Sequence, residues 1–376
     1  MSQLSDFFTF FTWFALIVMI VAVGLGVGVV FEEFSQIMQI IYYHIYITTW
    51  LLPPTVKVPL AHAARMEHLN YFSNIESIEN SLFGLTPLIP SDYIFQQFNI
   101  DVYFLRSIYP ILIINAIFIG WFIILKILEA AVAPFRNSPN KVVRFLRSVP
   151  CRPLAYFDQI WRYQFLAVMW ACMIQFTSFE GEGGKRLNLA ICVLAFIISL
   201  VWPFVVVIYT YRRHFTTNVK HFLYLYHDLY YLKTSSLCDE PKSYMYVGMR
   251  AARLFAYAIF IALFVNQSVI GPVLLIFFNL VDGAVAFFLD IYRTAPYLLT
   301  RVLENILLIV SGILCLVIYG FADRTSLDST GFEDLGYGLT TVFILLIINA
   351  VVRFFYLSYM KVKEWSLGTY DVGERG

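Results

Sequence analysis

The sequence predicts an all-α membrane protein: a polytopic transmembrane helical bundle of eight or nine spans, with a small extramembrane subdomain after the second hydrophobic segment. Three observations predict it. Of 376 residues, 60% are hydrophobic and only 14% charged, with a mean hydropathy of +0.73. A soluble domain of this length cannot bury so much apolar surface, so lipid has to be the solvent for much of it. The apolar residues are also gathered in runs of about 17–25, the length a bilayer core demands of a helix. Within the runs the pattern is uniformly apolar rather than alternating, which selects helices over a β-barrel.

Residues 1–52 hold the first two hydrophobic segments. No basic n-region precedes the run 7–31, and the run outlasts a signal-peptide h-region, so it reads as a retained transmembrane helix. Its Gly24, Gly26 and Gly28 allow close helix packing. The run 34–52 is interrupted by Gln36, Gln39 and His44 and stopped by Pro53-Pro54, so it either spans or lies in the interface. Residues 53–104 form the extracytosolic subdomain, marked by Glu67, Glu76, Glu79 and Asp92. Amphipathic spacing over 60–82 fits a short helix or two there. Residues 105–245 carry spans at 108–128, 160–179 and 187–211 with basic cytosolic loops. Residues 246–376 form the C-terminal bundle, with spans at 252–269, 273–289, 302–320 and 339–359.

Lysine and arginine set the orientation. Arg136, Lys141, Arg144, Arg147 and Arg152 follow the third span, and Arg212, Arg213, Lys220, Lys233 and Lys242 follow the fifth. Arg293 and Arg301 separate the seventh and eighth, and Lys361 and Lys363 follow the last. If all nine spans cross, these fall on one side. The acidic 55–101 region and the acidic 321–335 stretch, with Asp323, Asp328, Glu333 and Asp334, fall on the other. The chain is therefore expected to start outside and end inside.

A net charge of +1 gives no support for a nucleic-acid partner. G-x-S-x-G, HExxH, Walker and GxGxxG signatures are absent from the sequence, so neither an enzyme nor a bound cofactor is expected. The cysteines Cys151, Cys172, Cys192, Cys238 and Cys315 have neither disulfide-framework nor zinc spacing, and the three in apolar spans read as small buried hydrophobes. The histidines form no metal-ligand pair at helical spacing. The expected partners are the lipid bilayer and either further copies of the chain or other subunits of a membrane assembly.

Ionisable groups inside apolar spans are costly, so they mark the candidate site. Asp282, Asp290, Arg293, Arg301 and Glu304 can be placed at one depth, with Glu304 about one turn into its helix. Arg301, Glu304 and Asn305 are spaced i, i+3, i+4 and share a helix face. The set reads either as a gate or cation-coordinating cluster, or as an ion-pair network fixing a helix hairpin. Lys126 and Glu129 read as a snorkelling interfacial pair. Asn349 and Arg353 in the last span either face a pore or, for Arg353, snorkel. Gly336-Tyr337-Gly338 has the letters of a potassium-filter triplet, but 321–335 is too short for a pore helix and re-entrant loop. The triplet reads instead as a turn with an interfacial tyrosine.

Several stretches carry a family resemblance, in order over most of the chain: FSQIMQIIYYHIY, VPLAHAARMEHLNYFSNIESIE, DQIWRYQFLAVMWACMIQF, LVWPFVVVIYTYRR, FLYLYHDLYYLK, MRAARLFAYAIF, YRTAPYLL and RVLENILLI. On these the chain resembles the membrane domain of TRP-like, polycystin-related proteins, in the version carried by large ciliate surface proteins, with fungal TRP-like proteins as more distant relatives. The family's paired arginines are split here into Arg250 and Arg253, and its Arg-Pro-Tyr turn reads RTAPY. The resemblance implies a non-enzymatic cation channel or channel-like domain in a plasma or ciliary membrane. Its pore would come from the last two helices, with Asn349 and the outer acids Asp328, Glu333 and Asp334 facing it. The short 321–335 stretch favours a second reading, a structural subunit or anchor of a large membrane complex, with the mitochondrial inner membrane as the alternative location. A third reading is a divergent ATP synthase a-type proton-channel subunit. It rests on PYLLTRVLEN, with Arg301 and Asn305 at R-x-x-x-N spacing, and on GLTP at 84–87. That family's later acidic and glutamine partners have no counterpart here, and the spans are too many.

Overall fold

The computed structural model describes residues 103–135, 161, 164–165, 168–169, 171–176, 185–216, 253, 256, 269–288, 295–322 and 329–366. All of the regular structure among them is helical. The principal elements are α1 (Phe104–Val132), closed by a 3-10 turn at Ala133–Phe135, α2 (Lys185–Thr216), α3 (Ile270–Phe288), α4 (Ala295–Ala322) and α5 (Ser329–Ser366). Among the described residues, four helical segments are long and apolar enough to cross a membrane: Ile111–Val132, Ile270–Phe288, Ala295–Gly320 and Asp334–Tyr356. The expected spans 7–31, 34–52 and 252–269 lie outside the described residues apart from Arg253, Ala256 and Val269, and so does nearly all of the 53–104 subdomain.

Proline sets several of the helix ends. Pro134 sits in the 3-10 turn that ends α1, where its missing N–H and its clash with the preceding turn stop further α-helix. Pro272 in α3 and Pro296 in α4 fall in the first turn, where an N–H would have no helical partner anyway.

Two packing units position the polar residues. In the first, α1 packs on α2 and on the helical residues Val168, Ala171 and Cys172 through Phe104, Leu105, Ile108, Ile111 and Cys192. The start of α1 is capped by other helices: Gln175 Oε1 accepts from the Phe104 N–H at 3.1 Å, and Asn188 Oδ1 accepts from the Leu105 N–H at 2.9 Å. Asn188 Nδ2 then donates to Gln175 Oε1 at 2.6 Å, so the two amides orient each other.

In the second unit, α4 packs against both α3 and α5. Gly283 of α3 lies opposite Asn305, and Pro272 and Ile276 lie opposite Gly312, so α3 and α4 run antiparallel. Only residues 323–328 join α4 to α5. Six residues reach about 20 Å at most, while a helix as long as α4 spans about 42 Å, so these neighbours are antiparallel as well.

The distribution of polarity is inverted relative to a soluble protein. On α4 the exposed residues Leu299, Leu303, Ile306, Val310 and Ile313 form one apolar stripe, and on α5 Leu345, Ile348, Val352, Phe355 and Tyr359 form another. Buried inside are Arg253, Asn279, Asp282, Arg301, Glu304, Asn305, Asn349 and Arg353. Water would leave the outer stripes unsatisfied; hydrocarbon suits them.

Two expectations are corrected here. Gly336-Tyr337-Gly338 is not a turn but part of α5, which begins at Ser329. Two glycines cost a helix about 1 kcal/mol each. Burial of Gly336, Leu339 and Thr340 and the need to satisfy backbone groups internally outweigh that cost. The second correction concerns α4, which starts at Ala295 and not at 302. Glu304 is therefore about 13 Å along the helix rather than one turn in, and Arg301 is a buried helix residue, not a loop charge that orients the chain.

Candidate functional site

The buried charges converge on α4, whose inward face brings Arg301, Glu304 and Asn305 together as the i, i+3, i+4 spacing requires. Glu304 Oε2 accepts from Arg301 Nη1 at 3.2 Å on its own helix and from Arg353 Nη1 of α5 at 2.6 Å. Arg353 is the largest of the fully buried side chains among the described residues. Arg301 turns its other nitrogens to the Tyr297 hydroxyl one turn earlier, which accepts from Nη2 at 2.8 Å and from Nε at 3.3 Å. Asn349, one turn before Arg353, donates through Nδ2 to the Thr300 carbonyl at 2.8 Å.

One residue beyond Glu304, Asn305 holds a second cluster, on α3. Its Nδ2 donates to Asp282 Oδ2 at 3.0 Å, and its Oδ1 accepts from Arg253 Nη1 at 3.1 Å. Arg253 Nη1 also meets Asp282 Oδ2 at 2.7 Å. Gly283 makes this possible, because even a Cβ there would lie 3.3 Å from Asn305 Cβ. Three guanidinium groups and two carboxylates thus form two buried clusters on adjacent residues of α4, one tying Glu304 to α5 and the other tying Asn305 to α3 and residue 253. Charges taken out of water hold only when such partners and hydrogen bonds replace it.

Other expected site residues fall elsewhere. Asp290, Arg293 and Asp328 lie outside the described residues. Glu333 is on the second turn of α5, and Asp334 beside it is exposed at the start of the apolar window. Arg353 is buried, with its guanidinium on Glu304. Asn349 likewise faces α4. Lys126 Nζ lies 6.0 Å from the centre of the Phe122 ring on α1.

Three participants were not among the residues picked from sequence as a site: Arg253, Tyr297 and Thr300. Arg253 had a signal, a cation inside an apolar run that needed a partner. Tyr297 and Thr300 give none, because they stand between the expected spans 273–289 and 302–320. The Gln175–Asn188 pair was also missed, although amides within apolar runs are a known adhesive between membrane helices.

Three buried oxygens in this unit have no hydrogen-bond partner among the described residues: Asn279 Oδ1, Asp282 Oδ1 and Thr340 Oγ1. No group of three or more His, Cys, Asp or Glu side chains able to hold a metal ion occurs among the described residues. No protein-family model, curated protein or solved structure matches the chain.

Proposed function

We propose that this multi-pass membrane protein acts as a non-enzymatic structural subunit or anchor within a membrane assembly, with α3, α4 and α5 as its rigid unit. One observation carries the reading. The polar groups best suited to line a pathway, Glu304, Asn349 and Arg353, all bond between helices α4 and α5. A side chain that closes a helix interface is not available to a passing ion. The outward apolar stripes of α4 and α5 then face lipid or neighbouring subunits, whether further copies of the chain or other proteins. A plasma or ciliary membrane and the mitochondrial inner membrane both accommodate such a unit.

Planar-bilayer recording of purified protein, shown to be folded by circular dichroism and size exclusion, tests this. The expected result is silence at every voltage. A reproducible cation current that disappears with Asn349→Leu removes the structural reading.

The second reading is the cation channel implied by the TRP-like resemblance. In its favour are the three unpartnered oxygens of Asn279, Asp282 and Thr340, which a hydrated interior would serve. On that reading the exposed Asp334 at the outer end of α5 raises local cation concentration, and the current falls with its neutralisation at low salt.

A further inference from the structure

Two buried thiols in the first packing unit meet across a helix interface. Cys172, in the helical residues 171–176, and Cys192 of α2 are free cysteines, each 0% exposed. Cys172 Sγ donates toward the Cys192 carbonyl oxygen at 3.6 Å, and the two thiols are within hydrogen-bonding reach of each other. Both belong to the core built on Phe104, Leu105 and Ile108 of α1.

Cys172 stands one turn before Gln175, and Cys192 one turn after Asn188, so the thiols neighbour the amide pair that caps α1. Only residues 177–184 separate the two helical segments in sequence. At about 1.5 Å per residue, the cysteines lie roughly 6 and 11 Å from the ends that this connection joins. A disulfide usually holds its two Cα atoms about 4.4–6.8 Å apart. A sulfur in contact with the other residue's carbonyl oxygen leaves only a small approach of the two backbones to be made. No group of three or more metal-ligating side chains includes them among the described residues, so a metal ion would find two protein ligands, fewer than a zinc site uses.

We propose that Cys172 and Cys192 form a modification site, oxidised by hydrogen peroxide to an intramolecular disulfide that locks this hairpin and with it the cap on α1. One sulfur attacks the peroxide, the O–O bond breaks, an S–OH group forms and water leaves. The second sulfur attacks that sulfenic sulfur, the S–S bond forms and the hydroxyl leaves as a second water. The two cysteines lose two electrons, the peroxide gains them, and both thiol hydrogens end in water. A small neutral oxidant reaches a buried sulfur that a protein oxidant does not. The site rests on this geometry and not on whether the protein conducts.

Peptide mass mapping of the full chain in lipid nanodiscs, first reduced and then exposed to hydrogen peroxide, tests it. Cleavage after Arg162, Lys185, Arg186 and Arg212 places the two cysteines in separate tryptic peptides, 163–185 and 187–212. With remaining thiols blocked by N-ethylmaleimide in denaturant, the expected result is these two peptides joined, lighter by the two thiol hydrogens and separated by dithiothreitol. Cys315, also 0% exposed but on α4, should be recovered as a blocked thiol. Recovery of Cys172 and Cys192 as thiols, as separate sulfinic acids, or joined to Cys151, Cys238 or another chain overturns the proposal, and that measurement needs no variant to fold. Amide hydrogen exchange at Phe104 and Leu105 should slow several-fold on oxidation, and peroxide should leave it unchanged in Cys172→Ala. A link that forms without slowing exchange, or slowing that persists in Cys172→Ala, overturns the lock.

Discussion

Arg353 Nη1 of α5 lies 2.6 Å from Glu304 Oε2 of α4, and the same oxygen takes Arg301 Nη1 at 3.2 Å. One carboxylate thus pairs with two guanidinium groups within a helix interface. The arrangement makes the three side chains unequal. Removing either arginine leaves Glu304 a partner. Removing Glu304 leaves two buried cations facing each other.

Glu304→Leu should therefore destabilise the protein more than Arg353→Leu does. Breaking a buried pair costs on the order of 3–5 kcal/mol, and the glutamate variant should reach the upper end of that range. Thermal unfolding in mild detergent measures the difference. Equal or reversed effects would mean that the triad does not hold the two helices together.

The Arg253–Asp282 pair gives a second test. Asp282→Asn retains a contact for Asn305 but leaves Arg253 without the carboxylate it meets at 2.7 Å. Its cost should be about 3 kcal/mol, and the double change Arg253→Met, Asp282→Leu should be milder than Arg253→Met alone or Asp282→Leu alone. Additive losses in the double-mutant cycle would show that the two groups do not interact.

Close packing of α3 on α4 separates two glycines of the same helix. A Cβ at Gly312 would lie 2.7 Å from Ile276 Cγ1 and 3.3 Å from the Pro272 carbonyl oxygen, whereas nothing lies within 4 Å of one at Gly320. Gly312→Ala should cost about 1–3 kcal/mol through forced separation of the helices. Gly320→Ala should be neutral, or stabilising by up to about 1 kcal/mol through helix propensity. Chemical denaturation midpoints of the two variants should move in opposite directions, or only the first should move.

These contacts show what could be read from sequence and what could not. The runs 273–289, 302–320 and 339–359 fall, but for residue 289, within α3, α4 and α5, because an uninterrupted apolar stretch can satisfy its backbone in hydrocarbon only as a helix. The ends were missed where polar or glycine residues stand, as at 295–301 and 329–338. There, packing and backbone bonding override local preference. The shared face of Arg301, Glu304 and Asn305 was legible because it is a matter of spacing within one helix. That Asp282 meets Arg253, and Glu304 meets Arg353, depends on which helices touch and at what register. Separations of 29 and 49 residues leave no local trace.

The amide cap on α1 carries the last prediction. The first N–H groups of a helix have no partner within it, and a buried donor left bare costs about 1–3 kcal/mol. Here Phe104 and Leu105, 0% and 6% exposed, donate to Gln175 and Asn188 on neighbouring helical segments. Asn188→Leu removes the acceptor for Leu105 and also the donor that orients Gln175, so both caps weaken together. Gln175→Leu removes the Phe104 acceptor and leaves Asn188 Oδ1 on Leu105. Asn188→Leu should consequently be the more damaging of the two, and amide hydrogen exchange in the first turn of α1 should accelerate at both residues. Gln175→Leu should accelerate Phe104 more than Leu105. Unchanged exchange at Phe104 and Leu105 in both variants would mean that the start of α1 is held by its apolar contacts with Val168, Ala171 and Cys172, and not by the amides.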